Sequence, residues 1–326
     1  MLARTARPTA ARRGLRNGYN WRMRPYPTLL VAALLLSACA PAGAQPAPDP
    51  LALVQQGRRL VTDGKLDEAL ALYRQALERQ PDLADAHLAA GIALDLLGRY
   101  KEARVHLSEA IEHAPPELKA NTLSAMAISH TFERRVADAA ALYQQVFDLE
   151  SEAERPAAAA AAANALGRLY LETGDPTRAH QWYETGYEMA RRQPDEPASQ
   201  LALWEMRWLH AQGRIAARQG RADEARRHVE AARKLVAATP ALKDEGPTIA
   251  YMAGYVALHT GDVAAARTEL ARTDERDPFN LMLQAEAAEK AGDASAAQGF
   301  WKRVLGLYGH GLQHALSRPV AEKKVR

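Results

Sequence analysis

Small and apolar residues return along the chain at helical spacing, and the whole pattern returns again after 34 residues. In QGRRLVTDGKLDEALALYRQALERQP, ending at Pro81, Ala69 and Ala76 stand seven apart and share one helix face, with Tyr73 between them. AGIALDLLGRYKEARVHLSEAIEHAP, ending at Pro115, repeats this with Ala103, Leu107 and Ala110. Gly57 and Gly91, Gly64 and Gly98, and Pro81 and Pro115 keep the same interval of 34. Each unit predicts two helices. The first carries a small residue where its partner comes close, glycine makes the turn where positive φ is tolerated, and proline stops the second helix. One pair cannot cover its own apolar stripe, so at least three must stack.

These residues resemble the tetratricopeptide repeat. The resemblance implies an all-α fold, an α-solenoid of stacked antiparallel helix pairs. Looser units continue the pattern: Leu123, Ala127, Ala139, Tyr143 and Val146, without a turn glycine; then Gly167, Tyr170, Gly174, Ala179 and Tyr183. Three more follow, around Gly213 and Ala225, Gly254 and Ala266, and Ala285 and Ala297. The expectation is about seven pairs over residues 51–305, with a capping helix and frayed basic tail over 306–326. Longer helices or loops are expected at RRQPDEPASQ and ATPALKDEGP. The run Ala157 to Ala163 reads as a high-propensity helix start.

The amino terminus follows another logic. An arginine-rich stretch leads into an apolar run, Leu29 to Leu36, far short of the roughly 20 residues that span a bilayer. Leu36-Ser37-Ala38-Cys39 resembles the lipobox of bacterial lipoproteins. That resemblance implies a signal peptide over 1–38 and Cys39, the single cysteine of the chain, as the lipidated first mature residue. Residues 39–50 read as a Pro/Ala tether. Met23 would suffice as the start, and a twin-arginine reading of Arg12-Arg13 lacks the expected neighbours. Ala40, standing where aspartate favours inner-membrane retention in enterobacteria, tips the expected location to the outer membrane.

Composition changes the picture once the leader is set aside. The chain is 48% hydrophobic but only 6% aromatic, which suits close-packed helices. Its formal charge is +3, yet residues 1–38 hold seven arginines and no acid. The rest has 35 basic against 39 acidic residues, a net −4, and gives no support for a nucleic-acid partner.

Chemistry-bearing motifs are sparse. There is no phosphate-binding glycine loop, zinc-protease helix or nucleophile elbow. His310 and His314 stand four apart without a third ligand, so neither a metal site nor a cofactor is expected. Asp67/Glu68 and Asp223/Glu224 read as helix-start charges. In the family the first helix of each pair lines the concave groove. Helical register places Asn164, Arg168 and Leu171 on one outward stripe, Arg207, His210, Arg214 and Arg218 on the next, and Tyr251, Tyr255, Leu258 and His259 on a third. A basic patch beside an aromatic one is expected to clamp an acidic or carboxylate-bearing protein segment, and Arg214→Glu with Arg218→Glu to abolish capture without loss of helicity. The opposing reading is a solvated helix face with ordinary i, i+4 charges, or tyrosines that pack between repeats as Trp204 and Trp208 do. The reading is a non-catalytic protein–protein interaction scaffold, lipid-anchored in the cell envelope and facing the periplasm, with no small-molecule substrate. A pilus-assembly or secretion pilotin is the first alternative and a cytosolic adaptor the second.

Overall fold

The computed structural model describes residues 48–192 and 197–325. Met23, Cys39, the expected signal peptide and most of the tether lie outside the described residues. Seven antiparallel helix pairs follow in order. They are α1 (Pro50–Thr62) with α2 (Leu66–Arg79), α3 (Ala84–Leu96) with α4 (Tyr100–His113), and α5 (Pro116–Phe132) with α6 (Val136–Glu152). Then come α7 (Pro156–Thr173) with α8 (Pro176–Ala190), and α9 (Ala198–Arg218) with α10 (Ala222–Ala238). The last pairs are α11 (Gly246–Thr260) with α12 (Val263–Leu270) and α13 (Pro278–Lys290) with α14 (Ala294–Gly306), followed by a single helix, α15 (Leu312–Lys324). Among the described residues there is no strand, and no helix is long and apolar enough to cross a membrane.

The sequence pattern acts through close approach. A methyl group on Gly91 would lie 2.6 Å from Leu107 Cγ, so the first helix of that pair can seat against the second only without a side chain there. Gly98 turns the chain at φ +74. Later turns combine glycine with a cap: Asp175, Asp262 and Asp293 follow Gly174, Gly261 and Gly292, and accept the free N–H groups of α8, α12 and α14 at 2.9–3.1 Å. The third pair, which lacks the glycine, turns instead at Arg134 with φ 59, in the left-handed region that costs an L-residue energy.

First helices pack on one another along the array, α1 on α3 on α5 and α9 on α11 on α13, whereas consecutive second helices do not. The first helices therefore converge on the inner side. This explains why α3 and α13 are buried almost all round while α2 and α10 bury one stripe. The largest apolar cluster joins α5, α6 and α7 to the helices from α11 to α15.

Helix α15 accounts for that connection. It packs against the last pair, as a capping helix should, but it also crosses the inner side to α5 and α7. Leu312, Leu316 and Ala321 are buried in the shared cluster. Just before it, His310 Nε2 donates to Asp95 Oδ2 at 2.8 Å, and Ser129 Oγ donates to Asp95 Oδ1 at 2.8 Å. Asp95 is wholly buried, and these two bonds satisfy its carboxyl oxygens while tying α3 to α5 and to the carboxyl-terminal segment. His310 thus precedes α15 and His314 lies within it, and the two do not share a helix face.

Candidate functional site

Three first helices, α7, α9 and α11, carry the residues that the sequence marks for the groove. Their arrangement differs from an open clamp. Arg214, only 3% exposed, donates from Nη2 to Tyr183 Oη at 2.8 Å and from Nη1 to Tyr251 Oη at 3.3 Å. Glu172 Oε1 lies 3.5 Å from Nη1. Burial works against the guanidinium charge, yet the phenols of Tyr183 and Tyr251 and the Glu172 carboxylate together hold it above the usual arginine range. Arg218 reaches Glu172 Oε2 at 3.5 Å and Tyr255 Oη at 3.3 Å, and Tyr255 itself donates to Glu172 at 3.2 Å. Both Tyr251 and Tyr255 are buried, as are Leu171 and Leu258.

The expectation of an outward stripe therefore fails for Arg214, Tyr251 and Tyr255. The carboxylate that this cluster grips belongs to the chain itself. Residues Ala211 to Ala217 of α9 are all buried, because α8, α10 and α11 pack on that helix. Glu172 and Tyr183 were not among the expected site residues. The signal for Glu172 was present: it is the only acid in α7, four residues after Arg168 and on the same face. A charge isolated on an apolar, inward-facing helix needs a partner.

Four further candidates, Arg168, His210, Arg218 and His259, divide between two cavities that share no lining residue. One, of about 340 Å³, is lined by Arg168, His210, Thr248, Tyr251, Asp274, Asp277 and Asn280, with α15 absent from its walls. Arg168 lies 4.5 Å over the ring of Phe279 and, among the described residues, makes no ion pair and leaves its buried Nε unpartnered. His210 Nε2 is also buried without a partner. Burial, with Arg214 and Arg168 nearby, pushes that imidazole well below its ordinary value, so it is neutral at physiological pH. The two acids on the wall are engaged elsewhere, Asp274 with Arg276 and Asp277 with the first amide groups of α13.

The second cavity, about 100 Å³, has Arg134, Glu172, Arg218, His259 and Glu286 on its walls and is closed by Leu316 and Val320 of α15. His259 packs 4.2 Å from Tyr255, and burial with Arg218 and Lys290 lowers its pKa to about 4. Burial and the Glu172 charge raise Glu286 to about 7. Asn164 and Arg207 line neither cavity. Asn164 packs against Gly186 of α8, and Arg207 lies 4.7 Å over Trp204. No group of three or more potential metal ligands occurs among the described residues.

Family models and solved structures agree with this architecture. One model of the tetratricopeptide repeat matches residues 54–117 and 210–280, and a second matches 118–192; neither describes an enzyme. A comparison with curated protein sequences finds no match. Among solved structures, a tetratricopeptide repeat protein from Parabacteroides merdae superposes with a TM-score of 0.53 at 14% identity, covering 85% of this chain and 97% of that one. The apo form of RapI does so with a TM-score of 0.57 at 12% identity, covering 85% and 98%. At such identities the likeness is one of fold. With matches running through 54–192 and 210–280 and seven stacked pairs around them, the chain belongs to the tetratricopeptide repeat family.

Proposed function

We propose that this protein is a lipid-anchored interaction scaffold of the bacterial cell envelope, facing the periplasm, and that it holds a carboxylate-bearing segment of a protein partner in the cavity beside Arg168. The observation that carries the binding reading is Arg168 itself. It is a half-buried guanidinium with no carboxylate partner among the described residues, on the wall of a 340 Å³ cavity. By contrast, Arg214 and Arg218 are satisfied within the chain by Glu172. An arginine left with only an aromatic face beneath it is prepared for a planar anion. Neutral His210 adds a ring nitrogen, and Thr248 and Asn280 add small polar groups that can orient a peptide terminus or an acidic side chain.

The anchor reading rests on the sequence around Cys39 and on the tether that follows it. Radiolabelled palmitate should enter the native protein and not the Cys39→Ser variant; failure of the native chain to take up label removes the anchor. In-cell crosslinking, with mass spectrometry of the captured proteins, tests the scaffold. Partners should be lost on Arg168→Glu, and unchanged capture would remove the Arg168 cavity as the binding site.

A further inference from the structure

Helix α15 lies on α5, α7 and α13, all first helices, and so occupies the strip of inner face where a helical ligand of this array would lie. Its fit there is uneven. Leu312, Leu316 and Ala321 bury well. Over the second cavity, however, α15 presents only Leu316 and Val320 to walls that carry Arg134, Arg218, Glu172 and Glu286. Its own charges point elsewhere: Arg318 bonds Glu322 and the Leu305 carbonyl at 3.3 Å, and Lys324 pairs with Glu289 at 2.8 Å. Glu172 is shared between Arg214 and Arg218, and no carboxylate pairs with Arg134 among the described residues.

Arg134 stands out in a second way. It holds φ 59 at the turn where Gly64, Gly98, Gly174, Gly220, Gly261 and Gly292 serve the other pairs. Glu154 holds φ 54 at another turn, but Arg134 is the one of the two that lines this charged cavity. The covering helix is also weakly held by its own backbone. It has 13 residues with Pro319 inside, which lacks an N–H, and Gly309 and Gly311 in the connection that precedes it.

We propose that the strip under α15 is a docking site for an amphipathic partner helix that carries a carboxylate, and that α15 is its displaceable built-in occupant. Leu312, Leu316 and Val320, at i, i+4 and i+8, define the aliphatic stripe such a helix must share. A glutamate in place of Val320 is what α15 lacks and what Arg134, the wall arginine without a carboxylate partner among the described residues, would bind. This site does not depend on the Arg168 cavity, with which it shares no residue.

The test uses the full chain and three labelled peptides of residues 309–326: native, Val320→Glu and Val320→Lys. Fluorescence anisotropy should show the Val320→Glu peptide binding at least five-fold tighter than the native one and the Val320→Lys peptide weakest. All three should tighten on a His310→Ala chain, whose tie to Asp95 is cut. Hydrogen exchange should show amides 312–324 losing protection as the peptide binds. Equal affinities for the three peptides, no binding, or binding without that loss would overturn the proposal. So would reciprocal exchange of α15 between two copies, seen as a dimer by light scattering. Should His310→Ala not fold, the same substitutions within the chain decide: Val320→Glu must raise the protection of α15 and Val320→Lys must lower it.

Discussion

The carboxylate of Glu172 on α7 and the guanidinium of Arg214 on α9 meet at 3.5 Å with side chains only 7% and 4% exposed. Arg214 is thereby a member of the core, bonded also to Tyr183 and Tyr251. Removing one partner of a buried pair leaves the other charge uncompensated, at a cost of about 3–5 kcal/mol. Arg214→Met and Glu172→Gln should each destabilise the fold by that order in urea unfolding. The double variant should lose clearly less than the sum, because it leaves no orphan charge. Arg214→Glu, harmless on an open groove, should reduce helicity here, since it adds a carboxylate beside Glu172.

Arg168 provides the contrast. Its stabilising contact is the Phe279 face at 4.5 Å, worth about 0.5–1 kcal/mol at a partly exposed site. Arg168→Ala should therefore shift the unfolding midpoint little, yet weaken binding of a carboxylate-bearing partner roughly ten-fold or more, the scale of a charged hydrogen bond. Calorimetric titration of a captured partner against both chains measures the difference. A loss of stability as large as that of Arg214→Met would place Arg168 in the core instead.

The helix pairs were legible because their determinants are local. Gly91 against Leu107, Gly98 in its turn and Pro115 after α4 each act within one unit, and the 34-residue interval displays them twice. The third pair was legible from Ala127, Ala139 and Tyr143 despite Arg134 in its turn. What helical register could not show is how far the first helices close on one another. Register put Arg168 and Arg214 on equivalent stripes, yet Arg214 meets Glu172 across 42 positions while Arg168 meets only a ring. Nor does any local pattern signal that His310 reaches Asp95, a contact spanning 215 residues.

The second cavity holds two groups that titrate in opposite senses. His259 has its folded pKa lowered to about 4 from 6.5, so the unfolded chain binds the extra proton in that window, and its contribution is lost as pH falls from 6.5 toward 4. Glu286 has its folded pKa raised to about 7 from 4.5, so its contribution is full below 4.5 and is lost as pH rises through 7. Between pH 7.5 and 5 the two offset each other. Melting temperatures of single variants at these two pH values should reveal each alone. On going from pH 7.5 to 5, His259→Gln should shift the response toward stabilisation relative to the native chain, and Glu286→Gln should shift it toward destabilisation. Identical pH responses in all three proteins would contradict the burial of these groups.

Three turn and contact positions separate strain from crowding. Gly91→Ala places a methyl group 2.6 Å from Leu107 Cγ, and overpacking of that kind costs about 1–3 kcal/mol. At Gly98 no atom lies within 4 Å of the added carbon, so Gly98→Ala should cost only about 1 kcal/mol, through φ +74 alone. Arg134→Gly runs the other way. It relieves an L-residue held at φ 59 and should raise stability by up to about 1 kcal/mol, less what the looser unfolded chain gains in entropy. If Arg134 is retained for its side chain, the same substitution that stabilises the fold should abolish the preference for the Val320→Glu peptide over the native one. Unfolding curves and peptide titrations on one variant test both halves. A destabilised Arg134→Gly chain would mean that the arginine serves the turn itself.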